Sequence, residues 1–254
     1  KATESYEASL RIREEIGDKA SMGSLLSNLG VIAEYRGDYE GSSAFHERAL
    51  ALRTEIGDRW AIAVSMTNLG MIAALQQRFQ EAREWFERSM VLNREVGDAW
   101  MIAICHNNLG NATRGLGDYH AARKHYADSL RAYRDYDDPW AMAFLLEDVG
   151  ILAALTGDAA SALELVGAAD QLRESSGTPR APSLEKDIAS QLALAAAAMS
   201  ERQQRALRTH GHALSLAAAV DQALALCERC AEKAPPQTLQ LAGQASAPTV
   251  VAKR

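Results

Sequence analysis

The sequence predicts an all-α protein built from stacked antiparallel helical hairpins, and three observations carry that prediction. The triplet Asn28-Leu29-Gly30 returns every 40 residues, as Asn68-Leu69-Gly70, as Asn108-Leu109-Gly110 and, altered, as Asp148-Val149-Gly150. An apolar-Gly-Asp marker keeps the same spacing: Ile16-Gly17-Asp18, Ile56-Gly57-Asp58, Val96-Gly97-Asp98 and the degenerate Tyr136-Asp137-Asp138. Each period also contains a second break, so every unit reads as two helices. Self-similarity at this length is the signature of a repeat architecture, in which each unit buries its apolar face only against its neighbours.

Taken in order, residues 1–17 are half a unit: Tyr6, Ala8 and Leu10 fall in register with His46, Arg48 and Leu50 of a second helix. The chain therefore reads as cut from something longer. Full units follow at about 18–57, 58–97, 98–137 and 138–175. The physical logic of their boundaries is local. Gly17, Gly57 and Gly97 can take the left-handed conformation that closes a helix. Asp18, Asp58, Asp98 and Asp138 can accept hydrogen bonds from the free amides that open the next one, and Pro139 suits a first helical position. The mid-unit breaks are Arg36-Gly37-Asp38-Tyr39, Gln77-Arg78-Phe79, Leu116-Gly117-Asp118-Tyr119 and Thr156-Gly157-Asp158. Trp60, Trp100 and Trp140 form a third 40-residue row. The period fails after about residue 175; residues 176–182 read as a loop rich in Ser, Gly and Pro. Three helices, over 183–200, 201–210 and 215–231 with Ser215 as a cap, are expected to cover the apolar end of the stack. The Pro-, Gln- and Ser-rich segment 232–254 reads as a disordered tail.

Within the hairpin, an apolar-Gly pair, a Gly-x-aromatic turn, then Ala and an aromatic on the second helix are found as Leu109-Gly110, Gly117-Asp118-Tyr119, Ala122 and Tyr126. The second unit has Leu69-Gly70, Phe79, Ala82 and Phe86. This pattern resembles the tetratricopeptide repeat, and implies a right-handed superhelix in which small residues allow helices to approach while Tyr39, Phe79 and Tyr119 wedge between hairpins. The unit exceeds the usual length of about 34 residues and lacks the closing Pro; longer helices account for both, as in the long-repeat class that resembles kinesin light chains and many bacterial regulators. A HEAT-like solenoid has a similar period but does not explain the Leu-Gly and Gly-x-Tyr pairs. The stretches Leu163–Arg173 and His212–Val220 resemble the region closing the repeat arrays of bacterial multidomain signalling ATPases and of large LuxR- or maltose-activator-type transcription regulators. That likeness implies a sensor or adaptor arm. No phosphate loop of the Gly-x-x-x-x-Gly-Lys type is present, and no basic helix-turn-helix follows residue 230, so neither ATPase nor DNA-binding roles carry over.

The resemblance also suggests where a partner would sit. First helices line the concave face, and in peptide-binding relatives an Asn one residue before the Leu-Gly pair bonds the ligand backbone. Asn28, Asn68 and Asn108 occupy that place, and Asp148 replaces it in the fourth unit; the other reading of the same amides is that they tie adjacent helices together. By helical spacing Asn107, Asn111 and Arg114 share a face of one first helix, with Met71, Val64, Leu75, Phe144 and Ile151 at corresponding places in its neighbours. A protein or peptide partner is expected, including domains of the same full-length chain, and self-assembly is compatible with this face. An intracellular receptor for a small signalling peptide and a purely structural or oligomerisation scaffold are the alternatives.

Other classes are disfavoured. A formal net charge of −6 argues against direct nucleic-acid contact, which needs clustered Lys and Arg. No apolar run approaches the ~20 residues of a membrane span, and Lys1 leads into a polar helix-like stretch, so a cytoplasmic setting is expected. Cys105, Cys227 and Cys230 are too few for a disulfide framework. Cys227 and Cys230 with His210 and His212 make only a weak zinc signal without a second cysteine pair, and His46, His106, His120 and His125 show no ligand spacing. No cofactor, metal or catalytic constellation is expected, and the protein reads as a non-enzyme.

Overall fold

The computed structural model describes residues 2–134, 136 and 138–229; the expected tail, Cys230 and Asp137 lie outside the described residues. Every regular element among the described residues is helical. Contacts divide the chain into two units, the first ending at Cys105 and the second beginning at His106.

In the first unit α1 (Ala2–Ile16), α2 (Lys19–Tyr35), α3 (Tyr39–Ile56), α4 (Arg59–Leu75) and α5 (Phe79–Val96) pack as antiparallel neighbours, and α6 (Ala99–Gly115) begins. The helix ends follow from the Gly-Asp pairs. Gly57 and Gly97 close α3 and α5 at φ of 74° and 79°. Asp18, Asp38, Asp58 and Asp98 each accept from the backbone amide three residues on, at 2.9–3.1 Å, a cap worth about 1 kcal/mol. The break before α5 departs from the rule: Gln77 takes the left-handed turn at φ 59°, and Arg78 makes no side-chain cap. Tertiary ties reinforce the local ones. Trp60 donates its indole N–H to Asp98 at 2.9 Å, so the Trp row includes a link to the cap of the next repeat.

The hairpins of this unit are locked by a close approach. A Cβ on Gly70 would lie 2.5 Å from the Phe86 ring, and one on Gly30 would lie 2.6 Å from His46 Nε2. Phe86 is fully buried there, which contributes about 2–3 kcal/mol. His46 takes the same place in the preceding hairpin with 0% exposure, and neither ring nitrogen has a hydrogen-bond partner among the described residues. Burial, with Arg53 adding to it, pulls its pKa down to about 4. Leu10, Leu26, Leu29 and Ala49 form the apolar cluster that joins α1 to α2 and α3. Tyr39 and Phe79 are only half-buried, so the expected wedges are partial ones; the deep aromatic contact is made on the second helix instead.

The second unit contains the rest of α6, then α7 (Tyr119–Tyr133), α8 (Pro139–Leu155), α9 (Ala159–Ser176), α10 (Pro182–Ala195), α11 (Glu201–His212) and α12 (Leu216–Glu228). Asp118, Asp138 and Asp158 cap α7, α8 and α9, and Tyr119, like its counterparts, is half-buried. A Cβ on Gly110 would overlap the buried Tyr126 ring. Helix α8 is apolar nearly all round, as a helix flanked on several sides must be. It pairs with α9, and α10, α11 and α12 then lie against this hairpin, α12 also against α7. Where α11 crosses α9 the backbones almost touch: side chains at Gly167 and Gly211 would collide with the carbonyls of Arg208 and Glu164. Ser200 caps α11 through a reciprocal box with Gln203, and Ser215 caps α12. Exposed pairs Arg131–Glu228 and Arg134–Asp221, at 2.6 and 2.9 Å, tie α7 to α12, each contributing at most ~1 kcal/mol.

Candidate functional site

The second unit gathers a polar cluster where α6 faces α8. Asn107, Asn111 and Arg114 are spaced four and three residues apart, so one face of α6 presents all three. Asp148 projects to meet them. Asn107 Nδ2 and Asn111 Nδ2 donate to Asp148 Oδ2 at 3.0 and 2.9 Å. Arg114 Nη2 reaches Oδ1 at 3.4 Å, and its Nη1 donates to the Asp148 carbonyl at 3.1 Å. Behind them the Tyr126 hydroxyl donates to Asn111 Oδ1 at 2.7 Å, fixing that amide's orientation.

The cluster is nearly enclosed, with side-chain exposure of 9% for Arg114 and 14% for Asp148. Burial raises the Asp148 carboxyl to about 6, against the opposing pull of Arg114 and Asn111. Burial likewise raises the Tyr126 phenol well above its ordinary range. Two valences are left over: Asn107 Oδ1 and Asn108 Nδ2 are buried without a partner among the described residues. Chemically this is an amide-and-carboxylate set able to exchange hydrogen bonds with a peptide backbone, and in the free chain it is largely satisfied from within.

The predicted residues are thus placed unequally. Asp148, which the repeat comparison marks as the break in the Asn row, is the acceptor on which the α6 residues converge. Arg114 is buried on Asp148 and does not face solvent. Asn108 is 1% exposed. In the first unit Asn28 is half-buried, whereas Asn68 and Met71 are 2% and 1% exposed and Asn68 Oδ1 has no partner among the described residues. The physical reason is the same for all of the buried ones. The residues beside the Leu-Gly pair lie where neighbouring helices come closest, so little surface remains for an open groove. Val64 is buried as well, while Leu75, Phe144 and Ile151 keep part of their surface except where packing covers it.

Some contacts escape sequence reasoning. His106 and His125 face one another with their Nδ1 atoms 3.3 Å apart, and Asp128 Oδ2 stands 3.9 Å from His106 Nδ1; no periodicity links the two histidines. Among the described residues no group of three His, Cys, Asp or Glu side chains is placed to hold a metal. His210 and His212 instead meet Glu164 and Glu174 of α9, at 3.0 and 2.9 Å. Cys227 is buried and its thiol is pushed up to about 12 by that burial. Glu147, the neighbour of Asp148, is clamped by Arg173, Nη2 to Oε2 at 2.8 Å, and Arg173 also sits over the Phe144 ring at 4.2 Å. Adjacent carboxylates in so apolar a helix are a sequence signal from which buried cations nearby could have been found.

Comparison with known proteins gives the same architecture. Residues 23–56 and 61–135 match family models described as tetratricopeptide repeat, and these segments carry tetratricopeptide repeats, helical hairpins of the kind that mediate protein interaction. No curated protein matches the chain. Among solved structures it is similar to one described as "Crystal structure of BtubC (BKLC) from P. vanneervenii", at 18% identity with a TM-score of 0.63 over 96% of each chain. At that identity the likeness shows the fold alone.

Proposed function

We infer that this tetratricopeptide-repeat chain is a non-catalytic scaffold that binds a protein or peptide, and that it serves as a sensor or adaptor arm of a larger bacterial signalling or transcription-regulatory protein. In this reading residues 1–175 form the repeat array and 183–231 its cap. The observation that carries the reading is the convergence of Asn107, Asn111 and Arg114 on Asp148. This reading is supported by a carboxylate and amides standing together, beside Asn107 Oδ1 and Asn108 Nδ2 that lack partners among the described residues, in the first-helix register that the family resemblance associates with ligands. Because the set is nearly enclosed, a peptide strand reaches it only by displacing its internal bonds, offering its own N–H and C=O groups in exchange. The regulatory context rests on the likeness of Leu163–Arg173 and His212–Val220 to the segment that closes such arrays. A cytoplasmic location accords with buried, unpaired Cys105 and Cys227. No helix among the described residues is long and apolar enough to cross a membrane.

A structural scaffold is the second reading, and one observation favours it: the donors of Asn107, Asn111 and Arg114 are already spent inside the unit. Affinity capture from a bacterial lysate separates the two. Wild type is compared with Asn107→Ala and Asp148→Asn chains of verified helicity, and retained proteins are identified by mass spectrometry. A partner retained by wild type and lost from both variants supports recognition at this row. Identical retained sets reject it in favour of the scaffold.

A further inference from the structure

At the corner formed by α9, the 177–181 connection, α10 and α11, charged side chains border an open cavity of about 470 Å³. Asp170 accepts from two guanidiniums at once, Arg180 Nη1 at 2.5 Å on Oδ1 and Arg208 Nε at 2.7 Å on Oδ2. Arg180 also donates to Glu147 Oε1 at 2.7 Å and to Glu185 Oε2 at 3.1 Å. The connection itself is held in place: Gly177 turns at φ 65°, and Arg173 Nη1 donates to the Thr178 carbonyl at 3.1 Å. The walls are therefore formed before any ligand arrives, which lowers the ordering cost of binding.

Unused valences of both signs remain on these walls. Among the described residues Arg208 hydrogen-bonds only through Nε, so the two amino groups of this 39%-exposed side chain, which borders the cavity, are uncommitted. The Arg180 side chain is 6% exposed, and its Nη2 is buried without a partner among the described residues. Guanidinium edges with spare N–H groups suit a carboxylate. On the same cavity stand Glu185, with one oxygen engaged among the described residues, and Glu174, which also meets His212. A simple anion would meet the acids and a simple cation the guanidiniums, whereas a ligand bearing both charges a few bonds apart satisfies each wall. The volume falls in the lower part of the range for small-molecule sites, roughly 300–1,000 Å³.

We propose that this cavity binds a small zwitterion with the ammonium-carboxylate chemistry of a free amino acid or short peptide, its carboxylate on the Arg208 guanidinium and its ammonium on Glu185 and Glu174. Nothing in this assignment depends on the α6 row. Isothermal titration calorimetry of the full chain against the free amino acids and a set of dipeptides tests it, with succinate, propylamine and inorganic phosphate as single-charge controls. The expected result is saturable one-to-one binding of at least one zwitterion, weakened about tenfold or more, ~1.4 kcal/mol, by Arg208→Ala and by Glu185→Gln. Both changes lie on partly exposed side chains, and Glu185→Gln keeps the shape of the wall should Arg208→Ala unsettle α11. Absence of saturable binding to every zwitterion, binding unchanged in both variants, or equal affinity for succinate or phosphate overturns the proposal.

Discussion

Replacing His46 by Phe should stabilise the first unit and remove a specific acid sensitivity. The imidazole occupies the position held by Phe86 in the next repeat, packed on Gly30 as Phe86 packs on Gly70, so a Phe ring has a precedent for its shape. Two buried ring nitrogens lack partners among the described residues; leaving a polar group buried and unsatisfied costs about 1–3 kcal/mol, so His46→Phe should gain on that order at pH 7.5. The pH dependence follows from the depressed folded-state pKa. The unfolded chain takes up the proton near 6.5, and the folded chain only near about 4. Protons therefore favour the unfolded state: stability is fully present above 6.5, declines as pH falls through the window, and reaches its full loss below about 4. The complete effect is about 3 kcal/mol, and about 2 kcal/mol is lost by pH 5. Urea unfolding of wild type and variant from pH 4.5 to 7.5 measures the difference between them, in which other titrating groups largely cancel. The gap should widen by about 2 kcal/mol on going from pH 7.5 to 5. A gap that stays constant with pH, or a variant less stable than wild type at pH 7.5, refutes this account of His46.

Three further outcomes can be checked. The variant Gln77→Gly, Arg78→Asp restores the Gly-Asp break found before α3, α7 and α9, and removes the one left-handed non-glycine among the described residues; thermal melts should show a gain of about 1–2 kcal/mol. Gly211→Ala forces a methyl group into the Glu164 carbonyl, so hydrogen exchange should speed up along α11 while α2–α5 keep their protection; unchanged exchange in α11 would contradict the crossing. In carboxyl-carbon NMR Asp148 should titrate near 6, because burial outweighs Arg114 and Asn111; since ionisation is resisted in the fold, this carboxyl favours the native state most below its unfolded value of 3.8 and progressively less as pH rises through about 6. A midpoint below 4 would mean that the three donors dominate instead.

Most of the helical pattern could be read from sequence because its determinants are short-range. A glycine that turns left-handed and an aspartate that captures the amide three residues later act within one turn of chain. The 40-residue register of Gly57-Asp58 and Gly97-Asp98 therefore locates helix ends without knowledge of the fold. The small-to-aromatic complementarity of Gly70 with Phe86 and Gly110 with Tyr126 lies within one hairpin, so it too repeats visibly. Even the exceptions, His46 for an aromatic and Gln77-Arg78 for Gly-Asp, stand out against that register.

The environment of each polar side chain was a different matter. That Asn107, Asn111 and Arg114 share a helix face follows from α-helical geometry, but their burial on Asp148 depends on α8, which arrives 34–41 residues later in the chain. The pairing of His106 with His125, the grip of Arg173 on Glu147 and the ladder from Asp170 to Arg180 and Arg208 arise in the same way, from helices brought together by packing. Hydrogen bonds and charges act through space over a few ångströms, and sequence spacing records only distance along the chain. The repeat and its helix boundaries were thus determined by the sequence read locally, while which Asn, Arg and Asp side chains are enclosed, which retain unused valences and where a cavity remains were decided only by the tertiary structure.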